Sequence, residues 1–137
     1  MIRSRYMLDT NIVSHLVKQH PNVSRQVVGV PMASLCISAI TAGELHYGLA
    51  RRPDAVRLHA AVSELMRRVD VLPWDFSAAE RYGILRVALD RSGRPLGSLD
   101  LLIAAHALAA GAILVTNDRA FSQIAPLQIE DWTADRP

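Results

Sequence analysis

The 137-residue sequence predicts an α/β fold of three layers, a parallel sheet of four to five strands held between two layers of helices. Short apolar runs of strand length alternate with longer segments of helical spacing, the pattern that builds a parallel sheet. One helical segment, residues 99–110, is apolar on nearly all sides and therefore belongs at the centre of the fold. Four carboxylates, Asp9, Glu44, Asp100 and Asp118, each fall where an apolar run breaks into a polar turn that opens a helix. Strand-to-helix turns of a parallel sheet emerge along one edge, where ligands of open α/β folds bind, so the four acids are expected to meet there.

Tyr6-Met7-Leu8 reads as a buried strand ending at Asp9, and Ile12, Val13, Leu16 and Val17 give residues 10–18 helical spacing. His20-Pro21-Asn22 reads as a stop, followed by a short helix over 23–30 that Pro31 ends. Residues 34–38 make a second buried strand. Thr41 opens a helix to about Ala50, and Thr41-Ala42-Gly43-Glu44 matches the capping box. Pro53 stands at the first turn of a further helix reaching Arg68, which forms a hairpin with the one before it. A third strand over 69–72 leads to a long helix over 77–91 with Ala78, Tyr82, Leu85 and Leu89 on one stripe. After the basic loop 92–97 comes the apolar helix, stopped by Gly111. A strand over 112–115, a turn at Thr116-Asn117-Asp118, a short helix over 119–124 and a strand over 127–130 complete a single domain spanning residues 1–137.

The longest apolar region falls short of the ~20 residues that cross a bilayer, and the N-terminus lacks a signal-like apolar stretch, so a cytoplasmic protein with no membrane partner is expected. Cys36 is the only cysteine and sits in an apolar run, as a buried hydrophobe does. The five histidines show no zinc-like spacing, so any metal is held by oxygen. His106 lies six residues after Asp100, ~240° around the helix, and reads as a packing residue. Fifteen basic side chains, fourteen of them arginine, stand against thirteen acidic ones. Setting four clustered acids aside leaves a basic remainder suited to phosphate, or simply a solvated surface.

Each acid has a structural explanation of its own: Asp9 and Asp118 as N-caps, Glu44 in the capping box, Asp100 as a complement to a helix dipole. Together they fit that reading poorly. Two unit charges ~4 Å apart repel by about 4 kcal/mol at an effective dielectric near 20. A divalent cation relieves this, and an oxygen-only set selects Mg²⁺ or Mn²⁺, with Asp9 and Asp100 as direct ligands and Glu44 and Asp118 acting through water or completing a second position. Phosphodiester hydrolysis is the natural reaction of such a site. A covalent phosphoryl-transfer site is disfavoured, because its Asp-x-Asp pattern would need an acid where Asn11 stands.

Four segments in register, Tyr6-Met7-Leu8-Asp9-Thr10-Asn11, Ile37-Ser38-Ala39-Ile40-Thr41-Ala42-Gly43-Glu44-Leu45, Asp100-Leu101-Leu102-Ile103-Ala104-Ala105-His106-Ala107 and Leu114-Val115-Thr116-Asn117-Asp118, resemble the PIN-domain family, and within it the VapC toxins of bacterial toxin–antitoxin pairs. The resemblance implies a PIN-like sheet flanked by helices, Mg²⁺-dependent endoribonuclease activity, a homodimer, and a VapB-like antitoxin that blocks the site and alone contacts DNA. It places the acidic positions on Asp9, Glu44, Asp100 and Asp118, and small polar positions on Asn11, Ser38, Thr41, Ser98, Thr116 and Asn117. The basic loop and the tail lean toward the branch that cuts tRNA, initiator tRNA included, with Arg51, Arg52, Arg91, Arg94 and Arg119 as RNA contacts. The alternative within the family is a FitB-like protein that works mainly as a partner-bound regulator.

Overall fold

Strand β1 (Tyr6–Leu8) is the middle of a five-stranded, wholly parallel sheet of order β3-β2-β1-β4-β5, completed by β2 (Leu35–Ser38), β3 (Asp70–Leu72), β4 (Ile113–Val115) and β5 (Ile129–Glu130). The computed structural model describes residues 4–134; residues 1–3 of the basic N-terminus and 135–137 of the tail lie outside them. All four residues of β2 are buried, as parallel strands covered on both faces must be. Successive side chains alternate between two cores. Met7, Cys36 and Leu114 pack with α5 (Phe76–Ser92) and α6 (Ser98–Ala110) on one face. Leu8, Ile37 and Val115 pack on the other with α1 (Thr10–Val17), α2 (Pro21–Val28), α3 (Ala39–Ala50) and α4 (Val56–Arg68). Each large side chain sealed in these layers contributes roughly 1.5–3 kcal/mol.

The order of strands explains where a site can form. The chain runs outward through β1, β2 and β3, then returns to lay β4 on the other side of β1, so the carboxyl ends of β1 and β4 flank a topological switch point. Asp9 N donates to Val115 O across it at 3.1 Å.

Several expected boundaries move for identifiable reasons. The stop expected at His20-Pro21-Asn22 is instead the start of α2: Pro21 occupies the first helical position, and His20 caps it by accepting from Val23 N at 3.4 Å. The reversal comes from Gln19, whose φ is 63°. The capping box at Thr41 does not form, because Ser38 is the cap of α3 and its Oγ accepts from Ile40 N at 3.1 Å. Thr41 is buried and Glu44 sits in the second turn, so Glu44 does not open its helix. Pro53 lies in the turn ahead of α4, which begins only at Val56. Asp100 follows a helix-to-helix loop from α5, not a strand. A 3₁₀ turn over Met32–Ser34 was not anticipated. Gly111 stops α6 as expected, with φ 63° in the left-handed region.

Candidate active site

Asp9 ends β1 in extended conformation, and its Oδ1 accepts from Ile12 N at 2.9 Å, capping α1. Only 5% of it is exposed. Burial raises its pKa to about 6, the Thr116 side chain and the Ile12 amide pull it back by hydrogen bonding, and the Asp100 and Asp118 charges push it up further. Asp100, in the first turn of α6, is also raised, by burial first and then by the charges of Asp118 and Glu44. The structure therefore brings all four acids within electrostatic reach at the switch-point edge, with Asp100 as the one that feels Glu44.

Hydroxyl groups fix the carboxylates from several elements. Thr10, first residue of α1, donates to Glu44 Oε1 at 2.6 Å and so ties α1 to α3. Asp118 Oδ1 accepts from Ala120 N at 2.9 Å, and its own amide donates to Thr116 Oγ1 at 3.0 Å, which sets the turn after β4. Gly97 admits Asp100 closely, since a Cβ there would meet Asp100 Oδ2 at 3.3 Å. Thr41 Oγ1 is buried and has no hydrogen-bond partner among the described residues. Asn11 and Asn117 are exposed beside the edge, and Ser98 faces a cavity between α5 and α6. Among the described residues no three His, Cys, Asp or Glu side chains stand close enough to grip one ion unaided.

The proposed phosphate contacts separate into two groups. Arg52 lines a groove with Thr10, Glu44 and Lys18, whereas Arg94 lines the α5–α6 cavity with Arg86 and Ser98. Arg51 lies over the Tyr47 ring, 5.5 Å from its centroid, and Arg91 and Arg119 are exposed. Lys18 and Arg86 escaped sequence reasoning because nothing in their local pattern marks a groove.

The PIN domain family matches residues 6–127. The chain belongs to the PIN-domain family. It is 38% identical over 130 residues to the tRNA(fMet)-specific endonuclease VapC of Shigella flexneri, covering 94% of this chain and 98% of that protein. Its fold superimposes on a chain of DNA-bound VapBC from Salmonella typhimurium with TM-score 0.86 and 35% identity, over 95% of this chain and 99% of that one. FitAcB from Neisseria gonorrhoeae shares the fold, with TM-score 0.82 over 93% of this chain and 97% of that one, at 22% identity. In this PIN domain His106 has a partner that the sequence did not reveal: its Nδ1 lies 2.7 Å from Ser38 Oγ, with both side chains buried. No helix among the described residues is long and apolar enough to cross a membrane.

Proposed function

We propose that this PIN domain is a metal-dependent endoribonuclease, the toxin of a VapBC-type pair, which hydrolyses a phosphodiester bond of transfer RNA, initiator tRNA foremost. The observation that carries the reading is the convergence of acids at the switch point, where burial raises Asp9 to about 6 and the charges of Asp100 and Asp118 add to the rise. Relatives named as tRNA(fMet)-specific endonucleases support the choice of RNA.

Asp9 and Asp100 would hold Mg²⁺ or Mn²⁺, with Glu44 and Asp118 reaching it through water. The donor set is all oxygen, and the repulsion within it favours a counterion. Two carboxylates completed by water suit Mg²⁺, which keeps much of its hydration. Such an ion supplies the charge that clamps a phosphate and acidifies water. Glu44, held by Thr10, and Asp118, held by its turn, are fixed well enough to orient a water. Thr116 steadies Asp9; Asn11, Ser38, Thr41, Ser98 and Asn117 furnish polar support. Arg51, Arg52, Arg91, Arg94 and Arg119 bind the RNA backbone.

The protein works as a cytoplasmic homodimer whose VapB-like antitoxin covers the acidic edge and alone contacts DNA. The groove beside Glu44, about 220 Å³ and walled by Leu45, Leu49, Leu58 and Val62, offers that antitoxin an apolar seat. The test is the chemistry of the RNA ends. Purified protein with Mg²⁺ should leave 5′-phosphate and 3′-hydroxyl ends on tRNA and should stop cutting when chelator is added. Asp100→Asn should reduce cleavage by more than about 100-fold. Cyclic phosphate ends formed in chelator would remove this reading.

A further inference from the structure

His106 is the one buried imidazole among the described residues, and the proposed hydrolysis leaves it without a task. It sits in the middle of α6, 2.7 Å from the hydroxyl of Ser38, which both ends β2 and caps α3. Ser38 is fully buried and its Oγ already accepts from Ile40 N at 3.1 Å. Because that oxygen already accepts from Ile40 N, a hydroxyl proton directed at His106 Nδ1 would satisfy both atoms of the pair. The imidazole then carries its own proton on Nε2. Burial favours this neutral form by lowering the pKa of His106, against the opposing charge of Asp75.

That single bond joins two helices that each carry an acid. Glu44 lies six residues after Ser38 on α3, and Asp100 six residues before His106 on α6. Burial raises the pKa of Asp100 first, the charge of Asp118 next, and the repelling charge of Glu44 adds to both. Glu44 is restrained toward α1 by Thr10, whereas Ser38–His106 is the side-chain bond that spans from the α3 cap to α6 among the described residues.

We propose that His106 is a positioning residue: through the Ser38 hydroxyl it holds the α3 cap against α6, sets the separation of Glu44 and Asp100, and so tunes divalent-ion affinity. The inference rests on the nuclease reading. It assigns the histidine no contact with RNA or with the reacting atoms.

The test titrates Mn²⁺ alone into the full chain by calorimetry. Ser38→Ala and His106→Leu should each weaken Mn²⁺ binding by about tenfold, in the range seen for groups that orient metal ligands. The double variant should be no weaker than either single one, because both remove the same bond. His106→Asn places a polar atom near the position of Nδ1 and should restore most of the affinity. Nitrogen NMR of the imidazole at neutral pH should show Nδ1 unprotonated in the wild type and shifted in Ser38→Ala. Should His106→Leu fail to fold, Ser38→Ala carries the measurement. Variants that melt lower yet bind Mn²⁺ as tightly as wild type would reduce the bond to a structural role and overturn the proposal. So would imidazole nitrogen signals that do not change in Ser38→Ala. Wild-type protein that neither takes up Mn²⁺ nor cleaves RNA would overturn the nuclease reading and this inference with it. Tight binding by the variants, with cleavage intact, would sink this inference alone.

Discussion

Asp9 serves two roles that oppose each other. As the cap of α1 it favours a charge at a helix N-terminus, whereas burial and the Asp100 and Asp118 charges favour the protonated acid. Its folded pKa of about 6 exceeds the ordinary 3.8, so between these values the folded state binds more protons than the unfolded one. The resulting stability is fully present below the unfolded pKa and is lost as pH rises through the folded one. Its size is roughly 3 kcal/mol, from about two pH units at 1.36 kcal/mol each. Metal-free protein should therefore melt lower at pH 7.5 than at pH 5. Asp9→Asn separates charge from cap, because asparagine caps as well as aspartate. At pH 7 it should raise the metal-free urea midpoint and flatten the pH slope, while saturating Mg²⁺ should stabilise wild type and not the variant. Asp9→Ala, which also removes the cap, should return about 1 kcal/mol of that gain. A wild-type midpoint that climbs from pH 5 to pH 7.5 would show that the acids do not strain the fold.

At the level of elements, β5 is the most dependent on its surroundings. Two residues pair it with β4, and Trp132, 1% exposed, packs beneath the edge against Tyr6 with ring centroids 5.2 Å apart. The indole also donates to Glu130 Oε1 at 2.9 Å, and Thr116 N donates to Glu130 O at 3.0 Å. Trp132→Ala should cost about 3–5 kcal/mol by urea unfolding. It should also speed amide exchange at Thr116, so the loss of the tail reaches the turn that holds Asp118. A cost under 1 kcal/mol would mean β5 is held by other contacts. Elements like α5 were legible in the sequence because one stripe, Ala78, Leu85 and Leu89, goes into the core. The meeting of Asp9 and Asp118 was legible for a topological reason, since parallel strands release their following turns at one edge, whereas Glu44 sits a turn inside α3 and Asp100 follows a helix-to-helix loop, so that rule does not account for them. Caps were harder. Thr41-Ala42-Gly43-Glu44 fits a local pattern, yet Thr41 is drawn into the core and Ser38, which looks like the last residue of a strand, takes the position. The His106–Ser38 bond links residues 68 apart, and no local spacing encodes it.

Over the whole molecule the charge is divided unevenly. Fifteen basic residues face thirteen acidic ones, and the four gathered at the switch point leave nine elsewhere. Basic side chains flank the acidic edge on two sides: Arg52 and Lys18 in the groove beside Glu44, Arg86 and Arg94 on the α5–α6 cavity. An RNA strand laid across the edge would meet phosphate contacts on both sides of the bond to be cut. Binding should then depend steeply on salt, with a logarithmic slope of about −0.7 for each phosphate contacted on a single strand. The measurement uses Asp100→Asn protein, in which substrate stays whole while the arginines remain. With three contacts, affinity for tRNA should fall by about tenfold or more between 50 and 200 mM salt. Adding Arg52→Ala or Arg94→Ala should each reduce the slope by about one contact. Arg67→Ala is the internal control, because Arg67 already pairs with Glu64 at 3.2 Å on the exposed face of α4 and should leave the slope unchanged. If Arg52 and Arg94 behave like Arg67, the RNA follows some other path across the protein, and the basic excess acts on association in general without guiding the strand to Asp9 and Asp100.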